Sequence, residues 1–261
     1  MRIARFSTAD EPRFGIVGRD RDGGSDVVAV LAGDPMFRSP QLTGEKLPIE
    51  DVRLIAPVLP RSKVVAVGRN YAEHAAELGN EVPAEPLLFL KPNTSIIGPS
   101  EAIVYPRQSQ DVQYEGELAV VIGRIAKDIP RERVPEVVFG YTVANDVTAR
   151  DLQRKDVQFT RGKGFDTFCP LGPWIETDLD VADLAVRTRL GERLVQDGRT
   201  SQMVHSVTDL VSYISSIMTL LPADVVLTGT PSGVGPMQVG DRVSVEVEGI
   251  GTLTNHVVDP E

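Results

Sequence analysis

Glu115 and Glu117 stand one residue apart at the head of an apolar run, in Tyr114-Glu115-Gly116-Glu117-Leu118-Ala119-Val120-Val121-Ile122-Gly123. On an extended chain, alternate side chains share a face. Two carboxylates about 5 Å apart repel by about 3 kcal/mol at an effective dielectric of about 20. A cation, a shared proton or outward exposure has to relieve that repulsion, so the pair reads either as a solvated strand end or as the start of a site. Asp146 closes a second short apolar run, Phe139-Gly140-Tyr141-Thr142-Val143-Ala144-Asn145. Three carboxylates at adjacent strand ends would make an all-oxygen site for a hard octahedral cation, Mg²⁺ or Mn²⁺, with Ca²⁺ a further candidate. No histidine stands close by in sequence to favour zinc. Asp146 can equally be a turn residue, the usual role of an Asn-Asp pair.

His74 and Glu77 are three residues apart, so on a helix their side chains meet. A carboxylate beside an imidazole orients the ring and raises its basicity, which suits a general base; a surface ion pair on an Ala-rich helix fits the same spacing. Lys163 lies between glycines in Arg161-Gly162-Lys163-Gly164-Phe165, where small neighbours let it reach into a crowded pocket or leave it solvated on a loop. Gly229-Thr230-Pro231-Ser232-Gly233-Val234-Gly235 reads as an anion loop or a tight turn; it lacks the Gly-Lys-Ser/Thr ending of a nucleotide-binding P-loop. In the first reading, backbone amides of the loop and the Thr230 hydroxyl hold a carboxylate. Arg69, Lys91, Arg150 and Gln153 are further pocket candidates, although Arg150 could pair with Asp151 instead. Cys169 precedes proline amid aromatics and reads as a buried apolar thiol.

The elements that must position these groups are mostly strands. An apolar run ended by glycine predicts a buried strand over 63–68. Asn70 is placed to cap a helix over 71–78, with Gly79 at its C′ position. Pro83 and Pro86 mark a loop before a strand over 87–90, stopped by Pro92. Strands follow over 117–123 and 138–144, separated by a modest helix over 131–138. Residues 184–190 and 192–196 bracket Gly191 as a hairpin. Val207, Leu210, Val211, Ile214, Ile217, Met218 and Leu221 recur at helical spacing and make 207–221 the clearest helix. Late strands fall at 224–227, 242–247 and 252–258. At the front, strands over 2–6, 13–17 and 27–31 with a turn at 20–24 form a small β-rich N-terminal domain, 1–57. A proline-flanked linker over 57–61 joins it to a second domain, 62–261. The class is α+β and β-dominated; the β-α-β alternation of a doubly wound sheet is missing.

Composition narrows the function classes. The 261 residues are 41% apolar and 25% charged, as in ordinary globular proteins. A formal net charge of −10 argues against a nucleic-acid surface, which needs clustered cations. A single cysteine excludes an internal disulfide and a cysteine-based zinc cluster. No apolar run approaches the roughly 18 residues of a membrane helix, and the N-terminus lacks a signal-peptide pattern. The expectation is a cytoplasmic protein without nucleic-acid or membrane partners.

Five segments, in order, resemble one family. They are Gly68-Arg69-Asn70-Tyr71-Ala72-Glu73-His74, Tyr114-Glu115-Gly116-Glu117-Leu118, Asn145-Asp146-Val147-Thr148-Ala149-Arg150-Asp151-Leu152-Gln153, Lys163-Gly164-Phe165-Asp166-Thr167-Phe168-Cys169-Pro170-Leu171-Gly172-Pro173 and Thr228-Gly229-Thr230-Pro231-Ser232-Gly233-Val234-Gly235. Together they resemble the fumarylacetoacetate hydrolase family over roughly residues 60 to 258, and the N-terminal unit is similar to that of its bacterial 2-hydroxyhepta-2,4-diene-1,7-dioate isomerases. The resemblance implies mixed β-sheets rolled into a barrel-like sandwich, a homodimer, and one divalent metal on Glu115, Glu117 and Asp146. It implies a His74–Glu77 dyad that activates water or moves a substrate proton, and Lys163 on a substrate oxygen. The helix and the loop after Gly79 would act as a lid. Many members carry serine at the position of Gly164, whose absence would widen the pocket. The implied substrate is a 2-oxo or 2-hydroxy-dienoic dicarboxylic acid, reacting through a metal-chelated enolate by isomerisation or decarboxylation. Acylpyruvate C–C hydrolysis and oxaloacetate decarboxylation are the alternatives, and a metal-dependent oxo-acid binding protein is the non-enzymatic one. Fumarylacetoacetate hydrolysis itself is less expected, because the long N-terminal domain of that enzyme is absent.

Overall fold

The computed structural model describes residues 1–8, 11–19 and 26–260. The turn expected at 20–24 lies outside them. Twelve strands form one mixed sheet. Its path runs from the exposed edge strand Leu42–Pro48 through Asp26–Leu31, Pro12–Arg19, Arg2–Ser7, Cys169–Glu176, Val138–Asn145, Gly116–Ile122, Val225–Leu227 and Val64–Gly68 to Leu87–Lys91. A second sheet of five strands contains the expected hairpin, observed as Ala185–Leu190 and Arg193–Arg199, together with Arg242–Val247, Gly251–Val258 and Ala102–Val104. The sheets stack as a sandwich with open edges rather than closing into a barrel.

The strand Gly116–Ile122 is buried at every residue. Leu118, Val120 and Ile122 face Val186, Val245, Val247 and Leu253 of the second sheet and the helix Val207–Ile217. Ala119 and Val121 join Val64, Ala66, Ala144, Leu171 and Val225 in a separate cluster. Burial on both faces explains why this strand reads as continuous apolar sequence instead of alternating.

The helix Val207–Ile217 is capped by Ser206, whose hydroxyl accepts from the Asp209 amide at 3.2 Å while the Asp209 carboxylate accepts from the Ser206 amide at 3.1 Å. It ends four residues short of the expected limit, because Leu220 leaves the helix to pair its backbone with Ala126. Over 131–138 the expected α-helix is a 3-10 turn, Arg131–Glu136, with Pro135 inside it; Val138 already begins the next strand. The N-terminal strands belong to the large sheet, since Arg2 and Ile3 pair with Glu176 and Ile175. The expected linker is packed, with Pro57, Val58 and Pro60 buried.

Candidate active site

Three adjacent strands of the large sheet, Val138–Asn145, Gly116–Ile122 and Val225–Leu227, break at the same level. Their chains continue as a small sheet in the same order, through Thr148–Ala149, Val112–Tyr114 and Gly235–Pro236. Glu115 and Asp146 occupy the break itself. There the Asp146 amide donates to the Glu115 carbonyl at 2.8 Å and the Glu115 amide to Asn145 Oδ1 at 2.9 Å. Glu115 is therefore between strands rather than in one, yet it still meets Glu117. One carboxylate oxygen from each of Glu115, Glu117 and Asp146 lies within 4.8 Å of the others, and all three residues are buried. The exposed strand end is excluded, and so is the simple turn role for Asp146.

Gly116 separates the two glutamates because the second sheet leaves no room for a side chain. A Cβ there would lie 2.2 Å from Thr188 Oγ1 and 2.9 Å from Val245 Cγ1. Its amide donates to Gln196 Oε1 at 3.0 Å, which anchors the break to the second sheet. Gly116→Ala is expected to destabilise the fold by about 1–3 kcal/mol through overpacking. Urea unfolding measures it, and a change within experimental error would remove this reason for the Glu-Gly-Glu spacing.

Three buried cations surround the carboxylates. Lys163 Nζ donates to Glu115 Oε2 and Asp146 Oδ2, each at 2.7 Å. Lys91 Nζ donates to Asp146 Oδ1 at 2.6 Å and to the Lys163 carbonyl at 2.5 Å. Arg150 donates to Glu115 Oε1, to Gln113 Oε1 at 3.0 Å and to Gln153 Oε1 at 2.7 Å. The alternative Arg150–Asp151 pair does not form; Asp151 instead accepts from the Ser109 hydroxyl and the Gln110 amide. Burial alone would raise the Glu115 carboxyl, but Lys163 and Arg150 outweigh it and hold it below the usual range. Burial would likewise depress Lys163, but Asp146 and Glu115 raise it and keep it charged.

Glu117 differs. It accepts a hydrogen bond from the Gly229 amide at 2.7 Å, and no cation lies within ion-pair distance among the described residues. Burial first, then repulsion from Asp146 and Glu115, pushes its carboxyl well above the ordinary range. A buried all-oxygen trio with one carboxylate short of positive charge fits a hard divalent ion, which would take the place of the proton. Gly229 makes the amide contact possible: its φ is +95° and a Cβ would meet Asn70 Cβ at 2.8 Å. The loop amide expected to hold an external carboxylate thus holds Glu117. The Thr230 hydroxyl donates to the Gly116 carbonyl at 2.8 Å.

The helix Ala72–Glu77 brings His74 alongside. His74 is buried, and its Nδ1 lies 3.3 Å from Glu77 Oε2. Glu77 also accepts from the Gly233 amide at 3.1 Å, which fixes the dyad to the loop before the small sheet. The helix closes in a Schellman turn, with Asn80 N–H to the Ala75 carbonyl, Gly79 N–H to the Ala76 carbonyl and Gly79 at φ +68°. Its N-cap is Tyr71 rather than Asn70, which is spent elsewhere: its amide donates to the Thr228 and His205 carbonyls at 2.8 and 3.0 Å. The Tyr71 hydroxyl is buried without a hydrogen-bond partner among the described residues. Burial, then the charge of Glu117, raises that phenol and keeps it neutral.

A cavity of about 430 Å³ opens beside these groups. Arg69, His74, Glu115, Arg150, Gln153, Lys163 and Thr230 line it. Lys91, Glu77, Glu117, Asp146 and Gly229 are outside that lining; Lys91 and Asp146 join it through Lys163, and Glu77 through His74. Gly164 is not part of the lining; a Cβ there would meet the Thr160 carbonyl at 2.4 Å, so the glycine serves backbone packing rather than pocket width. Sequence reasoning missed Arg154, Val157 and Phe159, which also line the cavity. Arg150, Gln153 and Arg154 share one face of the helix Arg150–Asp156, and that spacing was the available signal. Cys169 is buried as expected, its thiol pushed up to about 12 by burial. No helix among the described residues is long and apolar enough to cross a membrane.

Comparison with known proteins matches residues 63–258 to the family described as fumarylacetoacetate (FAA) hydrolase C-terminal, and residues 1–57 to one described as Rv2993c-like, N-terminal. Protein Rv2993c of Mycobacterium tuberculosis is 51% identical over 261 residues, covering 99% of this chain and 98% of that protein. Human mitochondrial oxaloacetate tautomerase FAHD2A is 46% identical over 224 residues, covering 81% and 71%. A crystal structure of 5-carboxymethyl-2-hydroxymuconate delta-isomerase from Mycobacterium smegmatis is 52% identical, with a TM-score of 0.92 over the whole of both chains. Fumarylpyruvate hydrolase from Pseudomonas aeruginosa, solved with Mn²⁺ and pyruvate, is 35% identical with a TM-score of 0.73, covering 77% of this chain and 91% of that one.

Proposed function

The chain belongs to the fumarylacetoacetate hydrolase family, and from that premise we propose that it is a divalent-metal-dependent isomerase of 2-oxo and 2-hydroxy-dienoic dicarboxylic acids. The observation that carries the reading is the buried trio Glu115, Glu117 and Asp146, of which Glu115 lines one cavity together with Lys163 and His74. The trio would hold Mg²⁺ or Mn²⁺, with Ca²⁺ a third candidate, and the ion would supply Lewis acidity toward a 2-oxo acid substrate. The relatives named as an isomerase, a tautomerase and a Mn²⁺-bound hydrolase support both the metal and the substrate class.

His74 is the proton carrier. Glu77 engages Nδ1, which leaves Nε2 for transfer. In the ketonising direction the enol O–H bond breaks, the double bonds shift along the chain, and the far carbon of the diene gains a proton; neither water nor an oxidant is consumed. The Lys163 ammonium stabilises negative charge as it develops on the substrate oxygen. Lys91 positions this machinery by holding Asp146 and the Lys163 carbonyl together. Arg150 does the same for Glu115 and turns Gln153 toward the cavity. The homodimer implied by the family resemblance is part of the proposal, and analytical ultracentrifugation reads it directly.

Turnover of 2-hydroxyhepta-2,4-diene-1,7-dioate, acetylpyruvate and oxaloacetate, each with Mg²⁺ or with chelator, tests the reading. The expected result is metal-dependent loss of the dienol absorbance without release of pyruvate or CO₂. Pyruvate and acetate released from acetylpyruvate would make the protein a C–C hydrolase, and CO₂ released with pyruvate from oxaloacetate a decarboxylase. Oxalate binding without turnover would make it an oxo-acid binding protein. Each of these overturns the isomerase assignment.

A further inference from the structure

Two cations at the cavity are not used by this chemistry. Arg69 follows the strand Val64–Gly68 at φ +60°, a conformation uncommon outside glycine. It is half-buried, and its guanidinium has no hydrogen bond or ion pair with any described residue. Arg154 lies one turn beyond Arg150, with a side chain 65% exposed and Asp111 at 3.8 Å as its ion-pair partner. Both arginines line the cavity, whose one acidic lining residue is the buried Glu115. Val67, Leu78, Phe89, Val157 and Phe159 supply the apolar part of the walls. In a chain of net charge −10, two weakly compensated arginines on one cavity give it local positive charge.

Formal charge sharpens the point. Lys91, Lys163 and Arg150 equal the three carboxylates in formal charge, although their ion pairs go only to Glu115 and Asp146. A divalent ion then matches a substrate with one carboxylate and one oxyanion. A second carboxylate exceeds that balance, and the two arginines are the groups that meet it.

We infer that Arg69 and Arg154 select the substrate by binding its second carboxylate at the exposed end of the cavity, with the apolar walls covering the carbon chain between. This inference rests on the metal-dependent 2-oxo acid reading. Guanidinium suits the role, because it forms paired charge-assisted hydrogen bonds to a carboxylate.

The test compares Mg²⁺-dependent binding of 2-oxohexanedioate and 2-oxohexanoate, equal in chain length and differing in the second carboxylate, by isothermal titration calorimetry. The native protein is expected to prefer the dioate by about 10–100-fold, the contribution of charge-assisted hydrogen bonds. The Arg69→Gln/Arg154→Gln double variant, checked for an unchanged melting temperature, is expected to bring that ratio close to one. A native protein that binds both equally overturns the proposal, whether or not the variant folds. So does a variant that keeps the preference. Oxalate serves as the control for the underlying reading. If oxalate binds with Mg²⁺ and the dioate preference is missing, this inference alone falls; if oxalate does not bind, the 2-oxo acid reading falls and takes the inference with it.

Discussion

Glu117→Gln is expected to abolish turnover and to weaken Mg²⁺ or Mn²⁺ binding by more than about 100-fold. That exceeds the 10–100-fold typical of losing a group that only supports a ligand. The substitution keeps an oxygen for the Gly229 amide, so the fold is retained. It also removes the carboxylate that is buried without a cation and repelled by Asp146 and Glu115. The metal-free variant should therefore melt above the metal-free native protein, while the rise in melting temperature on adding Mg²⁺ disappears. These two shifts of opposite sign separate a metal ligand from a structural acid, which would lower the melting temperature in both conditions. Equal metal content and equal turnover in the variant would reject the trio as a metal site.

His74→Ala is expected to lower kcat by about 10²–10⁴-fold, the range for loss of a general acid–base group. Metal affinity should change little, since the imidazole is not among the three carboxylates that converge. Glu77→Gln should cost less, because the Gly233 amide still holds the side chain. The double variant should be no slower than His74→Ala alone, as expected when two residues act through one proton. Additive losses, or near-normal turnover for His74→Ala, would remove the dyad from the mechanism. Calorimetric metal titration beside steady-state kinetics reads both quantities.

The elements legible in the sequence were those with a strong local pattern. Val207–Ile217 announced itself by apolar spacing, whereas the Ser206–Asp209 box that fixes its start emerged from the structure. Gly116–Ile122 and Val64–Gly68 were legible as unbroken apolar runs. Cys169–Glu176 was not, although it sits in the middle of the large sheet, because Pro170 and Pro173 argue against a central strand. The sheet tolerates them where its register against Val138–Asn145 is irregular, between Tyr141 and Val143. The short helices Arg150–Asp156 and Thr160–Lys163 carry too little apolar periodicity to be seen, and Leu42–Pro48 is an exposed edge with no buried face to impose alternation. Asn70 misled for a related reason. Its type suits a helix cap, but its partners are His205 and Thr228, more than a hundred residues away.

The residues alone determined the kinds of chemistry available: carboxylates at the ends of apolar runs, an imidazole one helical turn from a glutamate, and a lysine between glycines. The ordered motifs determined the family. Tertiary structure decided which of two readings each residue takes. Glu115 and Glu117 became a buried pair because three neighbouring strands change sheets together and carry Asp146 to the same point. Lys91, Arg150 and Lys163 became their counter-charges because separate segments pack against that break. Periodicity records only which face of its own element a side chain takes, whereas convergence depends on hydrogen-bonded pairing between segments far apart in the chain, and no local pattern encodes that.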